Sequence, residues 1–286
     1  MTQTEHYILT RFNLRLWTKD KKRNHTRTEK WLNNRFELFE QFCLPSIINQ
    51  SNKCFKWIVL FDIHTPDRYK EKIKSYEKIC PQFCPCFIEA DKSRNFVRVF
   101  REEIQKRIDK GTNLLITTYL DNDDSLHKNY VQEMQDIKVE YPTFVSYVYG
   151  IQYYTELNIA TRIPYRNNHF ISLIEPLDEH RGFRTVHGYG SHVDINNFKN
   201  VKTVYYEDTM QDRWVEVIHD ANMDNDVKMT FDTKLIRDTA YLKDNYGIDI
   251  SLSNRSVLIF YTTFLLRAMK EIWRHVKLRI VGRKWD

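Results

Sequence analysis

An open α/β fold is expected for this chain: a mostly parallel, twisted sheet flanked by helices, followed by a helical C-terminal extension. Three observations predict it. Strand-like and helical stretches alternate through the first half of the 286 residues, the order that builds a parallel sheet through right-handed crossovers. The runs WIVLF and LLIT are continuously apolar, as strands covered by helices on both faces must be. Each run leads into an acid, Asp62 and Asp121, and ligands in open α/β sheets bind outside the carboxyl ends of the strands.

The elements follow in order. HYILTRFNL (residues 6–14) reads as a strand and is followed by the basic loop WTKDKKRNHTRTEK. From Trp31 to Ile48, Leu32, Phe36, Phe39, Cys43 and Ile47 recur at helical spacing, with Pro45 expected to kink or break the helix near its end. KWIVLFD (56–62) is the second strand. A charged helix (Pro66 to Ile79), the short strand CFIEA, an amphipathic helix (Asn95 to Lys110) and the strand NLLITTYLD continue the alternation. In the second half TFVSYVYGIQYY and NIATRIP read as antiparallel strands, NHFISLIE and KTVYY as shorter ones. From about Asp226 the pattern turns helical, which divides the chain into a catalytic domain (1–225) and a helical extension (226–286).

Composition narrows the function classes. A hydrophobic content of 42% indicates a globular chain with a sizeable core. A net charge of +6 suits phosphates, anionic lipid headgroups or nucleic acid without choosing among them. MTQTEHYILTRFN has no apolar core of a signal peptide, so a cytoplasmic location is expected. The five cysteines (Cys43, Cys54, Cys80, Cys84, Cys86) are then expected to be reduced, and CPQFCPC lacks the second ligand pair of a zinc site.

The chemistry concentrates in TTYLDNDDS, where Asp121, Asp123 and Asp124 place three carboxylates in four positions at the end of a buried strand. Like charges so placed raise one another's pKa unless a cation or donors offset them. An N-cap or Asx turn accounts for Asp124 or Ser125, but not for acids beginning where hydration is least. A hard divalent cation, Mg²⁺ or Mn²⁺, held by carboxylates together with substrate phosphates, accounts for all three.

Asp121-Asn122-Asp123 resembles the DXD motif of metal-dependent glycosyltransferases of the GT-A fold, whose acids bind the cation and the ribose of a nucleotide sugar. LPSIINQSNKCFKWIVLFD (44–62) is similar to the family-2 pattern of a helix leading to a strand that ends in a nucleoside-contacting Asp, here Asp62. ILTRFNLR, FCLPSI with Gln50, FKWIVLFD, LDNDDS, FISLIEP and WVEVIHDANMDN together resemble the bacterial rhamnosyl transferase family from about residue 7 to 225. One departure is Tyr119, where that family commonly has Arg.

The resemblance implies roles, which residue chemistry supports. Asp123 is the first metal ligand, Asp121 a ribose or water-bridged metal contact, Asp124 a supporting acid or helix cap, and His219 in WVEVIH a further metal ligand. Arg11 and Asn13 are placed to meet the base or ribose, with His187 and His192 as weaker candidates near the donor. Glu175 in SLIEP and Asp208 in YYEDTMQDRW are the two candidate general bases for an attacking acceptor hydroxyl. The implied reaction is hexosyl transfer, expected to be inverting, from a nucleotide-diphosphate sugar to a glycan or lipid-linked oligosaccharide.

A metal-dependent phosphotransferase or nucleotidyltransferase would also use Asp-x-Asp after a strand, but no GxxxxGK loop is present among only 7 glycines. A non-enzymatic module for anionic lipid or nucleic acid needs no buried acidic triplet, and no nucleic-acid partner is expected. The largely apolar run Val257 to Arg267 falls short of the roughly 20 residues that span a bilayer. The basic residues beyond it (Arg267, Lys270, Arg274, Lys277, Arg279, Arg283, Lys284), interleaved with Trp273, Val276, Leu278, Ile280 and Trp285, suit either a terminal helix packed on the core with a solvated basic face or a helix lying on an anionic membrane surface. The resemblance to rhamnosyl transferases favours the second, at the inner face of the membrane.

Overall fold

In the computed structural model the first strand, β1 (Thr4–Arg11), is an interior strand of a seven-stranded sheet, with its middle residues Tyr7, Ile8 and Leu9 wholly buried. The structure describes residues 3–19, 25–26, 28–177, 182–190, 192–209, 211–219 and 233–253, with 258, 261, 262, 265, 269 and 273 beyond them. After β1 the chain enters α1 (Glu29–Leu38), capped by the Thr28 hydroxyl, which accepts from the Trp31 N–H at 3.2 Å.

α1 does not stop where an ordinary helix would. Phe39–Cys43 winds as one wide π turn and continues into α2 (Leu44–Ile48). Pro45 sits in the first turn of α2, where its missing N–H costs least, so the expected break is a change of winding just upstream. The π turn leaves carbonyls free for neighbours: the Ser125 hydroxyl donates to Phe42 O at 2.9 Å.

β2 (Lys56–Asp62), α3 (Asp67–Ile79), β3 (Phe83–Ile88), α4 (Phe96–Gln105) and β4 (Leu114–Tyr119) complete the expected alternation. β3, β2, β1 and β4 lie side by side and parallel. One face packs on an aromatic layer that includes Phe12, Phe36, Phe39, Trp57 and Phe83; the other packs on α4 through Val99, Phe100 and Ile104. Burial on both faces is why β2 and β4 read as unbroken apolar runs.

Beyond β4 come β5 (Ser125–Leu126), α5 (Tyr130–Asp136), β6 (Thr143–Tyr147), β7 (Tyr149–Tyr154), β8 (Ile159–Pro164), β9 (Ile171–Pro176), β10 (Lys202–Tyr206) and β11 (Trp214–Ile218). The first sheet runs β10-β6-β9-β4-β1-β2-β3, and β9 is its antiparallel member, paired with β4 and β6. The fold is therefore the expected open, mostly parallel sheet between helices.

Two expectations change. TFVSYVYGIQYY is two strands in two sheets, because Val148 interrupts it: its N–H donates to Tyr206 O at 2.9 Å and its carbonyl accepts from the Tyr165 N–H at 2.7 Å. The second sheet runs β12-β8-β7-β11-β5, and β12 (Lys234–Ile236) pairs with β8 inside the stretch expected to be purely helical. α6 (Thr239–Tyr246) follows and ends at Gly247, whose φ of +72° suits glycine. Leu242, Tyr246 and Ile248 join a core with Leu38, Phe42 and Val217. Residues 234–248 are thus packed against the elements before 225. The basic positions of the tail, Arg267 through Lys284, lie outside the described residues.

Candidate functional site

The carboxyl ends of β1 and β4 open onto a cavity of about 620 Å³. Arg11, Phe12 and Leu14 come from the end of β1; Tyr119, Asp121, Asn122 and Asp123 from the end of β4; Arg35 from α1; Phe96 from α4; and His169, His187 and His192 from the chain after β8. Its floor is acidic and its walls are aromatic and cationic.

Each acid of the run has a different environment. Asp121 is the most open, with its side chain 31% exposed. It accepts from the Tyr119 hydroxyl at 2.7 Å and lies 3.4 Å from Arg11. Burial keeps the Tyr119 phenol protonated well above its ordinary range, so it acts as a donor to Asp121 while receiving a hydrogen bond from Arg11. The Arg11 guanidinium also lies 5.0 Å from the Phe96 ring. Tyr119 thus holds Arg11 against Asp121.

Asn122 is turned inward, and its amide donates to the carbonyls of Arg11 and Phe12 at 2.8 and 3.1 Å. This ties the acidic run to the end of β1. Asp123 is buried against two partners, with Arg35 Nη1 at 2.8 Å and His219 Nε2 at 2.8 Å both meeting Oδ2. Burial alone would raise its carboxyl, but Arg35 and His219 outweigh burial and hold it well below the usual carboxylate range.

Asp124 is fully buried. Its Oδ1 accepts the Val217 N–H at 2.9 Å, and its Oδ2 lies 2.7 Å from His169 Nε2. Burial pushes the Asp124 carboxyl up, and Asp124 in turn pushes the His169 imidazole up. The two upward shifts describe one proton held between the partners. One carboxylate oxygen from Asp121, one from Asp124 and a His169 nitrogen all lie within 4.8 Å of one another, an oxygen and imidazole set that fits a divalent cation.

His169 was not among the residues singled out from the sequence, although the strand register carries the signal. Thr118 pairs with Ser172 in the antiparallel β4–β9 ladder, and continuing that register brings position 169 opposite 121. Asn168 fixes the approach by donating to Tyr147 O and Tyr165 O at 2.9 and 2.6 Å. Arg35 was missed as well, although three residues after Leu32 and four before Phe39 place it on the inward face of α1.

The remaining expectations divide. Arg11 lines the cavity, as do His187 and His192. His187 stacks on Phe100 at 5.3 Å, and burial, then Arg11, keep it neutral. Asn13 does not face the cavity: its Oδ1 accepts the Asp62 N–H and its amide donates to Thr65, so it braces β1 against β2. Asp62 is paired with Arg15 Nε at 2.6 Å and accepts the His64 N–H, outside the residues lining the cavity. His219 reaches the acidic run through Asp123.

Glu175 is the clearest departure from a catalytic placement. It pairs with Leu115, at the opposite end of β4 from the cavity and six residues before Asp121, which at strand spacing is about 20 Å away. Its two oxygens accept the Arg184 and Thr185 N–H groups at 3.0 Å each. It therefore anchors a loop in which Thr185 holds a φ of +72°. Asp208 is exposed just past β10, on the carboxyl edge of the sheet but beyond the cavity lining.

Comparisons with known proteins give loose structural likenesses and one family match. No curated protein matches the chain. Among solved structures, residues 1–349 of S. aureus TarS in complex with UDP give a TM-score of 0.41 at 11% identity, covering 75% of this chain and 60% of that one. The inositol-1-phosphate CTP transferase from T. maritima gives 0.33 at 13% identity, covering 76% and 90%. This chain therefore spans less than two thirds of the TarS fragment, and likenesses this loose carry no argument about activity. A family model described as "Putative rhamnosyl transferase" matches residues 7–230, a span that includes both sheets' site-forming strands and every acid of the run. The chain belongs to the rhamnosyl transferase family.

Proposed function

We propose that the protein transfers a hexose, in keeping with its family a rhamnose, from a nucleotide-diphosphate donor to a hydroxyl of a glycan or lipid-linked oligosaccharide. The observation that carries this reading is the cavity at the carboxyl edge of β1 and β4, which combines apolar walls, two arginines and a buried acidic floor. Its volume falls within the roughly 300–1,000 Å³ of small-molecule sites. Phe12, Leu14 and Phe96 offer apolar surface for a base. Arg11 and Arg35 would meet the diphosphate and stabilise the charge that develops on it as the sugar departs. A divalent cation, Mg²⁺ or Mn²⁺, when bound at the acids, would supply further neutralisation of that leaving group. The Tyr119 and Asn122 hydrogen bonds hold Asp121 and the strand end fixed, so little reorganisation accompanies donor binding. For the acceptor proton, Asp208 stays our choice of base for an inverting transfer, since it is exposed on the cavity's edge of the sheet whereas Glu175 is buried at the far end.

The reading is tested by incubating purified protein with a panel of nucleotide sugars and Mn²⁺ and measuring released nucleoside diphosphate. Metal-dependent release from one donor is expected; absence of both release and donor-induced thermal stabilisation across the panel would remove it.

A further part of the proposal is peripheral attachment to anionic membrane. Leu258, Tyr261, Leu265, Met269 and Trp273 are each helical and between 46% and 71% exposed, and their spacing of three or four residues is that of an apolar stripe. Arg267 and Lys270 fall within this stretch and Arg274, Lys277, Arg279, Arg283 and Lys284 follow it in sequence, the composition of an interfacial helix. No helix among the described residues is long and apolar enough to cross a membrane. Sedimentation with anionic vesicles should be lost at high salt and on truncation after Ser253; equal, negligible binding of both chains refutes attachment.

A further inference from the structure

The acidic run contains two separate charge balances that its sequence motif does not distinguish. Asp123 is already neutralised: a guanidinium and an imidazole converge on its Oδ2, each at 2.8 Å. A dication placed there would stand beside the Arg35 charge in a site of low dielectric, where like charges repel strongly. Among the described residues Asp124 meets no cationic side chain other than His169, and it is wholly buried.

From this geometry we infer that the divalent cation is held by Asp121, Asp124 and His169, and that the second acid of the Asp-x-Asp pair is the anchor of Arg35 and not a ligand. The inference rests on the proposed cation-dependent transfer. The three donor atoms lie within 4.8 Å of one another, and ligands about 2.1 Å from a shared ion stand roughly 3–4 Å apart. Small side-chain adjustments therefore close the set. His169 Nε2 is 2.7 Å from Asp124 and 4.0 Å from Asp121, so its nitrogen faces the space between the carboxylates.

Two further observations support the site. The Val217 N–H holds Asp124 Oδ1 at 2.9 Å, which orients Oδ2 toward His169 as backbone donors around metal ligands do. Glu216, next to Val217 on β11 and only 1% exposed, has an Oε1 without a hydrogen-bond partner. Such an unsatisfied buried acceptor is one that a cation's water would satisfy. Asp121 and His169 also line the cavity, so the ion would face the donor phosphates. The imidazole nitrogen in the set favours Mn²⁺ over Mg²⁺.

The test measures Mn²⁺ alone, without nucleotide, by electron paramagnetic resonance titration of the full chain, with near-UV circular dichroism to verify each variant's fold. Asp124→Asn and His169→Gln should each weaken Mn²⁺ binding at least tenfold, whereas Asp123→Asn should stay within about threefold of the parent. Bound Mn²⁺ in the parent should show ¹⁴N coupling that persists in His219→Gln and disappears in His169→Gln, a readout available even if an aspartate variant fails to fold. Loss of binding in a folded Asp123→Asn, nitrogen coupling that follows His219, or no Mn²⁺ binding by the parent would each overturn the inference. Binding with this pattern but no turnover of any nucleotide sugar would leave the site standing and topple the transferase reading instead.

Discussion

Replacing Arg35 by methionine removes the guanidinium from Asp123 while keeping a chain of similar length on the inward face of α1. Both side chains of the pair are less than a tenth exposed and the contact is 2.8 Å, so the variant leaves a carboxylate with little access to water. Breaking a buried pair from one side costs about 3–5 kcal/mol. The loss of the 3.2 Å hydrogen bond to Asn122 adds to it, while His219, still 2.8 Å from Asp123, partly compensates, which places the expected cost near 3 kcal/mol. Urea unfolding monitored by tryptophan fluorescence reads this directly. The double variant Arg35→Met with Asp123→Asn should recover about half or more of the loss, because no uncompensated charge remains. A cost below about 1 kcal/mol for the single variant, or no recovery in the double, would refute the view that Asp123 is neutralised by Arg35.

Two other outcomes follow from the packing around the site. His6 is buried, its Nε2 lies 2.7 Å from the Thr118 hydroxyl, and burial pulls its pKa from 6.5 to about 3. The unfolded chain therefore binds a proton that the folded chain refuses between these values, and stability falls as pH drops below 6.5. Relative to His6→Gln, the parent should lose about 2 kcal/mol more between pH 6.5 and 4.5; parallel pH profiles in urea would disprove a buried neutral imidazole. Gly150 faces Trp214 so closely that an added Cβ would stand 2.0 Å from the indole. Gly150→Ala should cost about 3 kcal/mol or more, or abolish soluble expression. Gly182→Ala, whose Cβ meets no atom nearer than 3.8 Å, is its control, and equal midpoints for both would contradict the packing.

The parallel half of the fold was readable because β2 and β4 are buried on both faces, which writes an unbroken apolar run into each. The second half was harder for a physical reason. β6 and β7 share one alternating pattern, and what separates them is the pairing of Val148 with residues far along the chain. β12 is only three residues long and pairs at the sheet's edge, too short to leave a period. In the site, Asp121, Asp123, Asp124 and His219 stood out by type and spacing, yet their partners decide what each does. Arg35 approaches from α1 and His169 from the segment just before β9, and neither residue announces its target. Glu175 sits in a segment that resembles the family as well as the acidic run does, but antiparallel pairing carries it to the opposite end of β4.

The π turn at Phe39–Cys43 has a bearing on which length changes the chain can tolerate. Upstream of it, Arg35 is aimed at Asp123; downstream, the Gln50 amide donates to His127 O at 2.9 Å and its carbonyl accepts the Val131 N–H at 3.1 Å. Both ends of one continuous rod thus clasp the same crossover, before and after β5. A π turn holds one more residue than the α turn it replaces while turning the helix by about the same angle, so the extra residue is taken up inside the turn and the helix keeps its phase on either side. Deleting one residue within Phe39–Cys43 would be absorbed as an ordinary α turn, with Arg35 and Gln50 still facing their partners. The same deletion within Leu44–Ile48, where no extra residue is stored, would swing Gln50 by about 100° away from His127. The turn thus holds the one residue whose loss this helix can absorb.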